Sequence, residues 1–498
     1  MWHWWKSVIS GEVPLEINSP ASFLVEKTLQ DGNGQLIQAG ALSFKTDDSI
    51  GDLYVVIDQL LDIDFDLGPG YLKMVDSDFQ LLKNAFLKGI NFLKPQTYIM
   101  ERSLVFLDQF SVGLRFITTL PSHALFIRQL FCEDSQPLFS DFLTIYHYPQ
   151  GISDWEEDGR IPKKVIALHL KKRELIIAGP SSFEDIKTAI LTFISFIAIE
   201  NNVLPLHAQA SLDSFGHASL FFNVLLNKDS ENFLRITERP IFDDQILLTD
   251  QGAFSLIPGK YWQDHRAKNN VPFFEGVGNN FDPDQKKRST FLPPFENVHK
   301  RWLFWRSSKS LNGRLFIQDI DHLFIFIEDD YGVLPLISKL TSLQAHFYFM
   351  NGYMGNNTFK SCCGDPYRLR GLVHYGRLFL NFLKNHQTSV WLVNKGYYGG
   401  KANQGTRYPL KLIKECVRRT MQSKNHIDYL KLPMFELSIP SDLEGVDRRF
   451  LNPIYLWAKQ EDYLQSAAQF EKMLRENFDR LNLEEKKGPP PHFGELNI

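Results

Sequence analysis

Apolar residues along this chain follow two periods, and each period predicts a different kind of element. From Phe79 to Phe92 they recur every three or four positions, the spacing of one face of a helix. Ala189 to Ile199 is apolar except for Thr192 and Ser195, which predicts a buried helix too short to cross a bilayer. Val165 to Ala178, broken by Lys171-Lys172-Arg173, predicts a hairpin. Beyond Val203 the pattern changes to short apolar runs bounded by turns: Ala218–Leu226, Leu315–Ile320, Leu323–Ile327 and Val390–Val393. Such runs predict buried strands of a mixed sheet. Leu464, Ala467, Phe470, Leu474, Phe478 and Leu481 predict a closing amphipathic helix. The charged and proline-rich stretch from Glu484 to Pro491 predicts a flexible tail. The expected organisation is α/β in two lobes, 1–202 and 203–484, with a tail at 485–498.

Composition changes this picture little. A chain of 498 residues would allow about three domains by length alone. With 44% apolar and 22% charged residues it is globular, and 41 phenylalanines predict a Phe-rich core. The 54 basic and 58 acidic residues leave a net charge of −4, which argues against nucleic acid as a partner. Four cysteines, Cys132, Cys362, Cys363 and Cys416, are too few and too poorly spaced for a disulfide framework or a structural zinc site. Reduced thiols, no signal peptide and no transmembrane segment give the expectation of a cytoplasmic protein. Trp2, Trp4 and Trp5, the Trp302–Trp305 stretch and the proline tail are the candidate partner surfaces.

Several ordered motifs carry a resemblance. Asn18-Ser19-Pro20-Ala21, Gly40-Ala41-Leu42, Ile117-Thr118-Thr119 and His123-Ala124-Leu125-Phe126-Ile127-Arg128 come first. Leu204-Pro205-Leu206-His207-Ala208 is next, then Asp330-Tyr331-Gly332-Val333-Leu334-Pro335 and Thr358-Phe359-Lys360-Ser361-Cys362-Cys363-Gly364. Trp391 to Gly396, Gly405-Thr406-Arg407, Pro433-Met434-Phe435 and Leu451-Asn452-Pro453 complete the series. Together they resemble the ATP-dependent phosphoenolpyruvate carboxykinases over nearly the whole chain. The resemblance implies a two-lobed carboxykinase-like fold with mixed sheets, its mononucleotide-binding type site in the C-terminal lobe and its substrates in the cleft between. It implies conversion of oxaloacetate and ATP to phosphoenolpyruvate, carbon dioxide and ADP, with magnesium and manganese.

Phosphoryl transfer needs a phosphate cradle, metal ions and a cationic clamp. The segment matching the family's phosphate loop, Asn223 to Glu231, has no glycine, and Asp229 stands where the lysine belongs. This degenerate loop would repel a triphosphate, and only Ser230 retains a hydroxyl for a metal. Of the implied metal ligands, His207 and Asp244 remain, while the second lysine of the family's pair after Ile186 has become Thr188. Two ligands would hold manganese or magnesium weakly at best. Asp48 faces one substrate-arginine position and Thr290 the other, with Arg288 two residues before it. Each lost arginine removes charge-assisted contacts of about 1.5–3 kcal/mol. Ser182 replaces the implied cleft tyrosine, and the lid between Gly352 and Thr358 is nearly absent. Arg407 matches a nucleotide-contacting position and survives.

These losses favour a pseudoenzyme with no catalytic residues and no expected cofactor, working through a protein partner. The alternatives are a divergent enzyme using the residual His207, Asp244, Ser230 and Arg407, and a true ATP-dependent carboxykinase.

Overall fold

A computed structural model describes residues 9–36, 42–45, 52–57, 65, 70–107, 111–131, 141–149, 164–213, 216–222, 239–256, 262–264, 289–292, 316–362, 367–422 and 427–482. The longer helices are α1 (Ala21–Gln30), α2 (Asp76–Leu93), α3 (Pro121–Leu130) and α4 (Phe183–Glu200) in the first part of the chain. They are followed by α5 (Ser342–Asn351), α6 (Leu372–Asn385), α7 (Leu410–Gln422) and α8 (Gln460–Asn482).

The fold is α/β, with mixed sheets in two lobes. The N-terminal lobe holds an eight-stranded sheet. Its spatial order is Leu15–Ile17, Thr97–Phe106, Ser111–Thr118, Phe142–Tyr148, Glu174–Ala178, Val165–His169, Leu53–Val56 and Tyr71–Met74. The expected hairpin is present, with Val165 opposite Ala178 and His169 opposite Glu174. Helix α2 lays Phe79, Leu82, Phe86 and Ile90 against this sheet, which is the helical period read from the sequence.

The C-terminal lobe holds a ten-stranded sheet. At its centre Ala218–Phe222, His322–Ile327 and Ser389–Asn394 run parallel and adjacent, so their carboxyl ends share one edge. Antiparallel strands flank them, Leu204–Leu212 paired with Arg239–Thr249 on one side and Ile337–Leu340 on the other. Helices α5, α6 and α8 cover one face in a core rich in phenylalanine, including Phe222, Phe347, Phe349, Phe379, Phe382, Phe470 and Phe478. The α8 stripe buries Tyr463, Ala467, Phe470, Leu474 and Phe478.

One predicted strand is shorter than its apolar run. In the Leu315–Ile320 run the strand Phe316–Ile317 ends before Gln318, because this edge strand pairs with two residues, Ala253 and Phe254. In the Ala218–Leu226 run the described residues, Ala218–Phe222, form a strand. The segment after Phe222, including Asp229 and Ser230, lies outside the described residues, as do Asp48, Arg288, the three N-terminal tryptophans, Trp302, Trp305 and the tail. Cys362 and Cys416 are buried free thiols. Among the described residues, no helix is long and apolar enough to cross a membrane.

Candidate functional site

In open α/β sheets ligands gather at the carboxyl ends of parallel strands. Here the His322–Ile327 strand leads into Glu328-Asp329-Asp330, and the Ser389–Asn394 strand leads into Lys395-Gly396. The geometry is held from within. The buried carboxylate of Asp329 accepts hydrogen bonds from the amides of Tyr331, Gly332, Val333 and Leu334 at 2.6–3.0 Å. Burial pushes its carboxyl up to about 7, against the pull of those amides. Asn394 closes the neighbouring turn: its Oδ1 accepts from the Gly396 amide at 2.8 Å and its Nδ2 donates to the Leu334 carbonyl at 3.0 Å. A Cβ at Gly396 would stand 2.1 Å from the Asp329 carbonyl oxygen, so the two turns meet where only glycine fits.

Arg407 reaches this edge from a two-residue strand paired with Tyr397–Tyr398. Its guanidinium donates to Glu328 Oε1 at 2.9 Å, with half of the arginine side chain still exposed. Lys395 is buried beside them. Burial lowers its ammonium to about 8; Glu328 favours the charged form, while Arg407 and Lys360 oppose it. The turn at Gly355–Asn357 is fastened to the same place. Asp330 accepts from the Tyr353 hydroxyl at 2.5 Å and from the Asn356 amide at 2.9 Å. Gly355 lies against Glu328, whose Cγ a Cβ at 355 would approach to 3.3 Å.

The other predicted residues that fall within the described range lie on separate elements. Ser182 is the N-cap of α4. Its hydroxyl accepts from the Asp185 amide at 3.1 Å, and Asp185 Oδ2 accepts from the Ser182 amide at 2.7 Å. Lys164 pairs with the same carboxylate at 2.6 Å. Lys187 is buried and stands 4.0 Å from Glu184, and Thr188 is half-buried one residue further on. His207 is half-buried in the Leu204–Leu212 strand, opposite Gln245; Asp244 stands opposite Ala208, one register position away. Thr290 lies in a small four-stranded sheet, opposite Phe44. Among the described residues, no three His, Cys, Asp or Glu side chains are grouped to hold a metal ion.

The structure also assembles residues that sequence reasoning did not find. Glu328 carries no local signal, because Arg407 lies 79 residues further along the chain. Lys395 carries none either, because its burial and its neighbours come from separate turns. A buried network lies next to Ser182: Ser181 Oγ is 2.8 Å from His147 Nε2, and His147 Nδ1 is 2.7 Å from Thr118 Oγ1. Thr118 Oγ1 also accepts from the Leu120 amide, and His123 stacks on His147 at 4.6 Å. Burial, the larger cause, and the neighbouring His123 keep His147 well below the usual histidine range.

The pattern of the phosphoenolpyruvate carboxykinase family matches residues 14–270 and 314–449. A phosphoenolpyruvate carboxykinase (ATP) of Thermus thermophilus is 25% identical, over 93% of this chain and 94% of its own length. Phosphoenolpyruvate carboxykinases (ATP) of Shouchella clausii and Geobacillus thermodenitrificans are 28% and 24% identical, each over 92% of both chains. A two-lobed α/β protein of mixed sheets is the class that the fold defines. The chain belongs to the phosphoenolpyruvate carboxykinase family.

Proposed function

We propose that this chain is a pseudoenzyme of the carboxykinase family, without ATP binding or phosphoryl transfer, which works in the cytoplasm by binding a protein partner. The observation that carries the reading is the engagement of Arg407. The surviving cation at the strand edge is paired with Glu328 at 2.9 Å rather than presented to a phosphate. A salt bridge there opposes an incoming anion twice, by occupying the guanidinium and by repelling negative charge. The sequence supports the same reading. Asp229 stands in a glycine-free loop where a lysine would bind phosphate, and Asp48, Thr188 and Thr290 replace cationic side chains. Ser182, in place of a cleft tyrosine, is spent on capping α4.

The test is direct. The purified chain, supplied with oxaloacetate, ATP, magnesium and manganese, forms no phosphoenolpyruvate, and ATP leaves its melting temperature unchanged. A turnover that Asp244→Ala abolishes would overturn the proposal.

A further inference from the structure

We propose that Glu328 is a built-in occupant of the strand edge, an internal anion that keeps an otherwise cationic site closed to small polyanions. This inference rests on the reading that the wild-type chain binds no nucleotide. Two cations bear on one carboxylate: Arg407 by direct pairing at 2.9 Å, and the buried Lys395, whose charged form Glu328 favours. Without Glu328, Arg407 and Lys395 are left as neighbouring positive charges at the carboxyl ends of parallel strands, where this architecture accommodates phosphates, while the Asp330 carboxylate stays engaged with Tyr353 and Asn356.

Two further observations show that the carboxylate is held in place. Its side chain is only 22% exposed, although glutamate is ordinarily a surface residue. The turn that replaces the lid also packs onto it through Gly355, and that turn is pinned by Asp330 to Tyr353 and Asn356. Glu328 therefore lies against a fastened turn, with its charge matched by Arg407. A buried or half-buried carboxylate in such a position needs cationic partners, and those partners cannot serve a ligand while it stays.

The experiment uses inorganic pyrophosphate as the probe, because it needs neither an adenine pocket nor a glycine-rich loop. Binding is followed by thermal shift and by calorimetry on the full chain. Glu328→Ala is expected to gain a pyrophosphate-dependent rise in melting temperature, with affinity at least roughly tenfold above wild type. The gain should vanish in the Glu328→Ala, Arg407→Ala double variant. Glu444→Ala, which removes an exposed carboxylate paired with Arg419, should gain nothing. Glu328→Gln keeps the shape of the side chain and serves if the alanine variant does not fold. If neither Glu328 variant binds pyrophosphate better than wild type, the inference fails and the pseudoenzyme reading stands. A gain that persists in the double variant also overturns it, since the ion would then sit elsewhere. If wild type itself binds ATP or pyrophosphate, both proposals fall.

Discussion

Beside the buried His147 and His169, three further histidines give the protein a definite response to acid. Burial pulls His123, His322 and His346 each down to about 4. In the unfolded chain they titrate near 6.5, so the unfolded state takes up protons first as pH falls. The stability they allow is present above about 6.5 and is lost as pH falls through about 4. Asp329 works in the opposite direction. Its carboxyl is raised to about 7, so its contribution is present at low pH and is lost as pH rises through about 7. Three groups outweigh one, and the urea midpoint should be lower at about pH 4.5 than at about pH 7. His346→Gln should flatten that dependence. A midpoint unchanged or higher in acid would contradict the account. At this scale the sequence supplied the residue types behind the proposal, such as Asp229 in a segment without glycine. It did not show Glu328 facing Arg407, because an ion pair across 79 residues leaves no local pattern.

The elements were more legible. Helices α2, α4 and α8 follow from apolar periodicity, since each must bury one stripe or, for α4, nearly its whole surface. Ser182 belongs to this scale, because its visible role is to start α4. In a reciprocal capping box the serine and Asp185 satisfy two amides that the first turn leaves without helical partners. Ser182→Ala should cost about 1–2 kcal/mol in urea unfolding, and Ser182→Asp should recover less than full stability because it sets a second carboxylate beside Asp185. If alanine is tolerated without loss, the cap is not what holds the helix start. The capping signal, Ser182 three residues before Asp185, is readable in the sequence once the helix is recognised. The shorter edge strand at Phe316–Ile317 was not readable, because the length of an edge strand is set by its partner.

The whole molecule joins its lobes more intimately than a linker between domains would. One hydrophobic cluster contains Ile190, Phe193 and Phe196 of α4 together with Leu247, Phe254, Phe316, Tyr367 and Leu369 from the C-terminal lobe. Phe65 bridges to the Arg370 backbone and stacks on Phe196 at 5.8 Å, and Arg370 pairs with Glu200 at 3.2 Å. Leu42–Lys45 pairs with Ser289–Leu292, so a small sheet also crosses the division. Elements that share one core unfold together. Calorimetry should therefore show a single transition, which Arg370→Ala moves to lower temperature without splitting. Two resolved transitions would refute the shared core.

By itself the sequence determined the periodic elements and the family, and it supplied the residue types on which the proposed loss of phosphoryl transfer rests. These are properties of residue type and spacing, and they act within a few turns of chain. The tertiary structure alone decided that Arg407 is paired with Glu328, that the turn at Gly355 packs beside that carboxylate, and that the two lobes share a core. Each of these depends on charge or apolar surface brought together from distant parts of the chain, and only folding creates that proximity.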